Sequence, residues 1–408
     1  MGMVIIGAGE AGARAALELR KLGWAGSITL IGGEQWHPYE RPPLSKRQLC
    51  EEETSMPVAV LSENVYKEHD IQFISSCHAV GIDRQVKQVE LSDGSRLGYE
   101  KLLLATGANA RKLSVQGDAR QDIMVLRTYA DALAIRQKLI PGNHVAVIGG
   151  GFIGLEVASS AVTKGCKVTL IEVAPRILMR GVPEEIARIV AERHRKAGVT
   201  FRIGVMLEHI DRDGDGYVIS MADGSTVRCD AVIAGVGAVP ETTLAVACGL
   251  EIENGIKVDG MLATSDPNIF AAGDCCSFPH PLYGGQRIRL EAYRNAQDQG
   301  LHVAKTMLGE SESFAAIPWF WSDQYELTLQ VAGLADGSVV TVHRDLGESG
   351  SLYFHLDGDG RLVAVSGIGA DGGIAKEFRL AEMLVERQAK PDPMILSDPS
   401  RRLKELLR

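Results

Sequence analysis

No two of the seven cysteines in this 408-residue chain (positions 50, 77, 166, 229, 248, 275 and 276) are spaced C-x-x-C. The thiolate pattern usual for an iron–sulfur cluster or a structural zinc is therefore missing, and the odd, unpatterned set fits a reducing cytoplasm. A basic leader is missing too: "MGMVIIGAG" begins on an apolar strand-like run, so no signal peptide is expected. The run from Val145 to Val162 has the length of a membrane span, but four glycines and Glu156 interrupt it, as in a buried strand–turn–helix. Positive charge is in deficit, 43 Lys and Arg against 52 Asp and Glu, so neither nucleic acid nor an anionic membrane is expected as partner. The "DRDGDG" run (211–216) resembles a calcium loop, yet the twelfth position of that register is Ala222 rather than Glu, which leaves a turn between strands. With 45% apolar and 23% charged residues, the chain reads as a soluble protein of two or three domains.

What is present comes twice. "VIIGAGEAG" (4–12) returns as "AVIGGGFIG" (146–154), and each copy leads through an Asp-Gly turn, Asp93-Gly94 and Asp223-Gly224, to an apolar strand ending in glycine. The expected fold class is α/β. Two doubly wound, Rossmann-like dinucleotide-binding domains are expected, the second inserted in the first, with a C-terminal α+β interface domain. The boundaries are set at 1–112 with 239–317 for the first domain, 113–238 for the second and 318–408 for the third. In the third, "ELTLQVAG", "GSVVTVH" and "SLYFHLDGDGRLVAVSG" predict strands, and a helix is expected from about 374 to 388.

In the first fingerprint Gly7 permits the turn, Gly9 lets a pyrophosphate approach the backbone, and Gly12 lets helix pack on strand. Glu34 closes the next expected strand, "SITLIGGE", where a carboxylate can bind a ribose hydroxyl. Gly149, Gly151, Gly154 and Glu172 repeat the pattern; a carboxylate at 172 repels a 2′-phosphate and favours NADH over NADPH, although Arg176 lies nearby. The glycines alone do not decide which site holds which cofactor. "NIFAAGDC" (268–275) ends a strand on Gly273-Asp274 and can set a carboxylate against a ribityl chain. Two dinucleotide sites in one chain point to electron transfer from one cofactor to another.

The motifs "RPPLSK" (41–46), "LLLATGA" (102–108), "LRT" (126–128), "GGGFIGLE" (149–156), "IFAAGDC" (269–275) and "PWFWSDQY" (318–325) span nearly the whole chain. Together they resemble the FAD-dependent NADH:ferredoxin reductases of oxygenase systems, which have the glutathione-reductase-like fold. The resemblance implies FAD on the first fingerprint, with Glu34, Arg41, Lys46, Val80, Arg127, Asp274, Tyr293, Trp319 and Trp321 contributing. NADH would occupy Gly149, Gly151, Gly154 and Glu172. Lys46 and Glu156 would form the catalytic pair, the ammonium favouring electron density arriving on the flavin and the carboxylate limiting the cost of burying that charge. The helix expected over 289–308 would aim its N-terminus at the flavin. Here "EAYRNA" replaces the commoner E-S-V-x-N-A, which puts side-chain contacts at Ala292 and Tyr293 in question. The tryptophans serve equally well as anchors of a domain interface.

The expected enzyme takes hydride from NADH onto FAD and passes single electrons to a [2Fe–2S] ferredoxin, which feeds a Rieske or haem-thiolate oxygenase. It is expected in the cytoplasm, as a monomer or homodimer. Arg287, Arg289, Arg294 and Arg344 are a guess at the docking face. Two alternatives remain: an NADH oxidase or peroxide reductase of the same fold, and a flavin-based NADH sensor. The first needs a reactive cysteine near the elbow, and "RPPLSK" has none.

Overall fold

The computed structural model describes every residue except Met1, Thr54, Arg180 and Arg408. The chain divides into two compact units. The first gathers Met1–Arg41, Met56–Asn109 and Ala238–Ala316; the second gathers Pro42–Ser55, Ala110–Gly237 and Ile317–Arg408.

The first unit is built on a parallel sheet in the spatial order Ile71–Ile74, Ile28–Ile31, Gly2–Ile6, Arg96–Leu104, with Ile269–Ala271 also pairing the last of these. Its short strands are near-continuous apolar runs because both faces are covered. An antiparallel hairpin, Ala79–Asp83 with Gln88–Leu91, extends the sheet from Arg96–Leu104. The helices Glu10–Lys21 and Tyr293–Met307 pack against each other. Gly300 makes that closeness possible, since a Cβ there would stand 2.5 Å from the Ala11 carbonyl oxygen. The second of these helices starts at Tyr293, four residues later than the sequence implies, because Ala292 is still extended at φ −144°, ψ 139°.

The second unit repeats the plan with a five-stranded parallel sheet ordered Thr200–Ile203, Lys167–Glu172, His144–Ile148, Ala231–Ala234, Met124–Val125. The antiparallel strands Leu207–Asp213, Gly216–Met221 and Thr226–Cys229 lie in the same unit, and "DRDGDG" is the turn joining the first two, with Gly214 at φ +60°. The two Asp-Gly turns are copies: Asp93 and Asp223 each accept from the amide and hydroxyl of the serine two residues on.

Also in this unit is a five-stranded antiparallel sheet ordered Trp319–Gln324, Leu327–Gly333, Leu362–Ala370, Ser351–Leu356, Val340–Asp345. Helix Ala375–Glu386 covers it through Phe378, Ala381, Leu384 and Val385. Its edge strand Trp319–Gln324 was not among the expected strands; alternate burial of Ser322 and Gln324 gives it a polar inner face that hydrophobic alternation does not mark.

The prolines of the elbow do not exclude a helix. Pro42–Ser55 belongs to the second unit, and Pro42-Pro43 open a 3₁₀ turn, Pro42–Ser45, followed by the short helix Arg47–Cys50. Proline lacks only an N–H that a first turn leaves unpaired, so it starts such a turn readily. Among the described residues no helix is long and apolar enough to cross a membrane.

Candidate functional site

In the first unit, Gly7 has φ +112°, and a Cβ on it would lie 2.0 Å from the Ala105 carbonyl oxygen. A Cβ on Gly12 would lie 2.0 Å from the Gly7 oxygen, while one on Gly9 meets nothing within 4 Å. The turn is closed on the protein side and open on the other. Gly9 is the N-cap of helix Glu10–Lys21 and offers no side-chain cap, so the first-turn amides remain for an anion.

Glu34 lies three residues beyond the end of strand Ile28–Ile31. Its carboxylate accepts from Tyr39 Oη at 2.6 Å and from the Arg41 guanidinium at 2.9 Å, and that guanidinium also lies over the Tyr39 ring. Val80 lies on strand Ala79–Asp83 and is 55% exposed. Asp274 follows Gly273, which takes φ +84° and comes within 3.2 Å of the Ala11 methyl group when given a Cβ. Tyr293 opens its helix and donates from its hydroxyl to Glu40 at 3.3 Å, so the "EAYRNA" departure gives this side chain a partner within its own unit.

Three further residues of this unit were given no role by the sequence, although Thr106 lies within the "LLLATGA" motif. Gln299 is fully buried; its Oε1 accepts from the Gly273 amide at 2.7 Å, and its Nε2 has no partner. Tyr39 closes on Glu34, and Thr106 donates to the Glu241 carbonyl at 2.6 Å. An open glycine turn, an uncapped helix start and an orphaned amide donor together fit a dinucleotide such as FAD.

The second unit repeats the cradle. Gly149 has φ +103°, a Cβ on Gly154 would lie 2.0 Å from the Gly149 oxygen, and one on Gly151 meets nothing within 4 Å. Glu172 accepts at one oxygen from the Gly150 amide (2.6 Å) and at the other from the Ala174 amide (2.7 Å). Arg176 is committed elsewhere: it donates to the carbonyls of Ile177, Leu178 and Val182. The cation that qualified the NADH preference is thus a staple of its own loop. These residues fit NADH, whose 2′-hydroxyl can donate to Glu172.

The same unit brings Lys46 and Glu156 together. Glu156 sits in helix Phe152–Thr163 and is 4% exposed. Its Oε1 lies 3.1 Å from Lys46 Nζ and accepts from Ser322 Oγ at 2.5 Å; its Oε2 accepts from Ser45 Oγ. Ser160 Oγ donates to the Ser45 carbonyl at 2.7 Å and ties the elbow to the helix. Lys46 Nζ is 5.8 Å from the centre of the Trp321 ring, whose Nε1 donates to Asp323, and Trp319 lies 5.5 Å from Trp321. Arg127 immediately precedes Thr128, the N-cap of helix Tyr129–Lys138, and its amide donates to Asp131. The residues expected at FAD are therefore divided: Glu34, Arg41, Val80, Asp274 and Tyr293 lie in the first unit, and Lys46, Arg127, Trp319 and Trp321 in the second.

The docking face expected at Arg287, Arg289, Arg294 and Arg344 needs correction at Arg344. Arg344 is 1% exposed and donates to the carbonyls of Leu396, Asp398 and Arg401, so it pins the C-terminal segment and is closed to any partner. Arg287 donates to Val258 and Ser277 carbonyls, and Arg289 pairs with Glu291; both are engaged internally. All seven cysteines are free. Cys275 and Cys276 are buried, and burial pushes both thiols up, away from nucleophilic thiolate.

The family model described as pyridine nucleotide-disulphide oxidoreductase matches residues 1–300, and the reductase C-terminal model matches 319–407. The chain is 38% identical over 405 residues to the anthranilate 1,2-dioxygenase system ferredoxin–NAD(+) reductase component of Burkholderia cepacia, covering 99% of this chain and 98% of that one. It is 39% identical to a rubredoxin–NAD(+) reductase of Pseudomonas putida, covering 92% of this chain and 99% of that one. Among solved structures, the covalent putidaredoxin reductase–putidaredoxin complex matches with a TM-score of 0.93 and 36% identity, over 100% of this chain and 98% of that one.

Proposed function

This chain belongs to the pyridine nucleotide-disulphide oxidoreductase family and carries the reductase C-terminal domain, and from that premise we propose that it is the NADH:ferredoxin reductase of an oxygenase system. The observation that carries this reading is the elbow: where a disulfide-reducing relative would need a cysteine, this chain has Ser45 and Lys46, with Lys46 paired to the buried Glu156. Without a disulfide acceptor in the chain, electrons taken from NADH leave to an external carrier.

FAD, when bound, supplies the change from two-electron hydride chemistry to single-electron transfer. The chain's own residues bind and orient. Gly9 and the first-turn amides of Glu10–Lys21 hold the FAD pyrophosphate, and Glu34 and Arg41 hold its adenosine side together with the Val80 backbone. Asp274 would take the ribityl side, with Tyr293 from the same unit. Gly151 and Glu172 do the same work for NADH. Lys46 and Glu156 serve the hydride-transfer step, the ammonium stabilising negative charge as it develops. The domains are those set at 1–112 with 239–317, 113–238 and 318–408, and the enzyme works in the cytoplasm. The electrons pass to a [2Fe–2S] ferredoxin, and through it to a Rieske or haem-thiolate oxygenase.

Steady-state NADH oxidation with oxygen, peroxide, a panel of [2Fe–2S] ferredoxins and a rubredoxin, each carrier coupled to cytochrome c, tests this reading. At least one ferredoxin should raise cytochrome c reduction well above the carrier-free rate. Stimulation by rubredoxin alone would move the partner to that class, and turnover with peroxide alone would sink the reductase reading.

A further inference from the structure

The Lys46–Glu156 pair is the end of a longer chain of hydrogen bonds within the second unit. Ser322 Oγ touches Glu156 Oε1 at 2.5 Å and also accepts from Gln324 Nε2 at 3.1 Å. Gln324 Oε1 lies 2.8 Å from His194 Nε2, and His194 Nδ1 lies 3.4 Å from the Tyr325 hydroxyl. Ser322 and His194 are fully buried and Gln324 nearly so. Three buried polar side chains cost stability unless each is satisfied, and apolar residues would fill the same space.

The directions of these bonds are fixed. A carboxylate only accepts, so the single hydrogen of Ser322 goes to Glu156. Gln324 must then present its NH₂ to Ser322 and its carbonyl oxygen to His194. Burial pushes the His194 pKa down to about 4, so at neutral pH the imidazole has one N–H. That hydrogen is on Nε2, because the Gln324 oxygen it faces only accepts, and Nδ1 is left to receive the Tyr325 hydroxyl. Every donor points the same way, and the sequence of donors ends on Glu156.

We propose that Ser322, Gln324 and His194 are positioning residues for the catalytic pair: they hold the Glu156 carboxylate in one orientation and, through it, the Lys46 ammonium. Ser322 sits beside Trp321 on strand Trp319–Gln324, so one strand holds the carboxylate by a hydroxyl and faces the ammonium with a ring. His194 anchors the far end from helix Glu184–Lys196 and packs edge-on against Phe201 and Tyr325. This proposal rests on the assignment of Lys46 and Glu156 to hydride transfer made above.

Stopped-flow reduction of the FAD-loaded enzyme by NADH tests it. At saturating NADH, Ser322→Ala should lower the rate constant about tenfold, the fold-change of one charge-assisted hydrogen bond. Gln324→Met should lower it less and His194→Phe least, since each lies one bond further from Glu156. The apparent NADH Kd and the FAD content should stay at wild-type values, and Ser322→Thr should restore the rate. If Lys46→Ala slows reduction while Ser322→Ala and Gln324→Met do not, the positioning chain is overturned and the Lys46 assignment stands. A wild-type rate for Lys46→Ala overturns both. Equal losses in all three variants, or no rescue by threonine, would show general loosening and also overturn it. If Ser322→Ala does not retain FAD, Gln324→Met decides by the same rate criterion.

Discussion

The two glycine cradles are near copies, yet the carboxylates that close them are held in opposite ways. Glu34 is gripped by side chains, the Tyr39 hydroxyl and the Arg41 guanidinium, and both it and Arg41 keep about a third of their side-chain surface exposed (31% and 32%). Glu172 is gripped by backbone, the amides of Gly150 and Ala174. Side chains can swing aside to share a carboxylate with an arriving ribose, whereas backbone amides fix its position before the ligand comes. The first arrangement suits a cofactor bound once and kept. The second suits a substrate that comes and goes and must find its specificity contact already in place.

The largest effect that separates the cradles comes from their third glycines. Gly12→Ala and Gly154→Ala each place a methyl group 2.0 Å from a backbone oxygen, so the helix must leave its strand. Gly12→Ala should purify without flavin. Gly154→Ala should keep its flavin absorbance but lose saturable reduction by NADH. If both variants lose flavin alike, the two sites are not separate.

Next come the carboxylates. Glu172→Ala strands two amides and should destabilise the protein by about 1–3 kcal/mol, while narrowing the NADH over NADPH preference about tenfold. Glu34→Ala releases the partly exposed Arg41 guanidinium and the hydroxyl of buried Tyr39, which keeps Arg41 as a donor at 3.3 Å; it should cost less than about 1 kcal/mol in stability and act on FAD affinity instead. Denaturant melts and flavin titrations measure both. Similar stability losses would erase the contrast between side-chain and backbone grip.

The smallest effect concerns acid. His194 and His355, both in the second unit, have pKa values pushed by burial from 6.5 down to about 4. Between those values the unfolded chain binds protons that the folded chain refuses, so stability is full above pH 6.5 and is lost as pH falls towards 4. His355→Gln removes one such group and should flatten the fall in Tm by a few degrees across that range. An unchanged slope would mean that other groups set the acid limit.

Much of this was legible in the sequence because it depends on local backbone chemistry. The glycine turns, the strand before each and the doubling of the whole plan follow from residue types at fixed spacing. Other features were not legible. Tyr39 on Glu34 and Gln299 on Gly273 join positions that no periodicity links, and polar pairing has no repeat to betray it. Arg344 looked like a free surface cation because charge suggests exposure; its burial is decided by the carbonyls of a segment more than fifty residues on.

The two dinucleotide cradles, the cysteine-free elbow and the strand-rich C-terminal region can be read directly from the residues. Each of these is written in consecutive residues, where steric limits on φ and ψ and hydrophobic alternation act. That Ser45, Lys46 and Ser322, separated by up to 277 residues, meet on the buried Glu156 carboxylate follows from the fold alone. A buried charge must collect its partners from wherever the fold brings donors, and that choice is made in three dimensions.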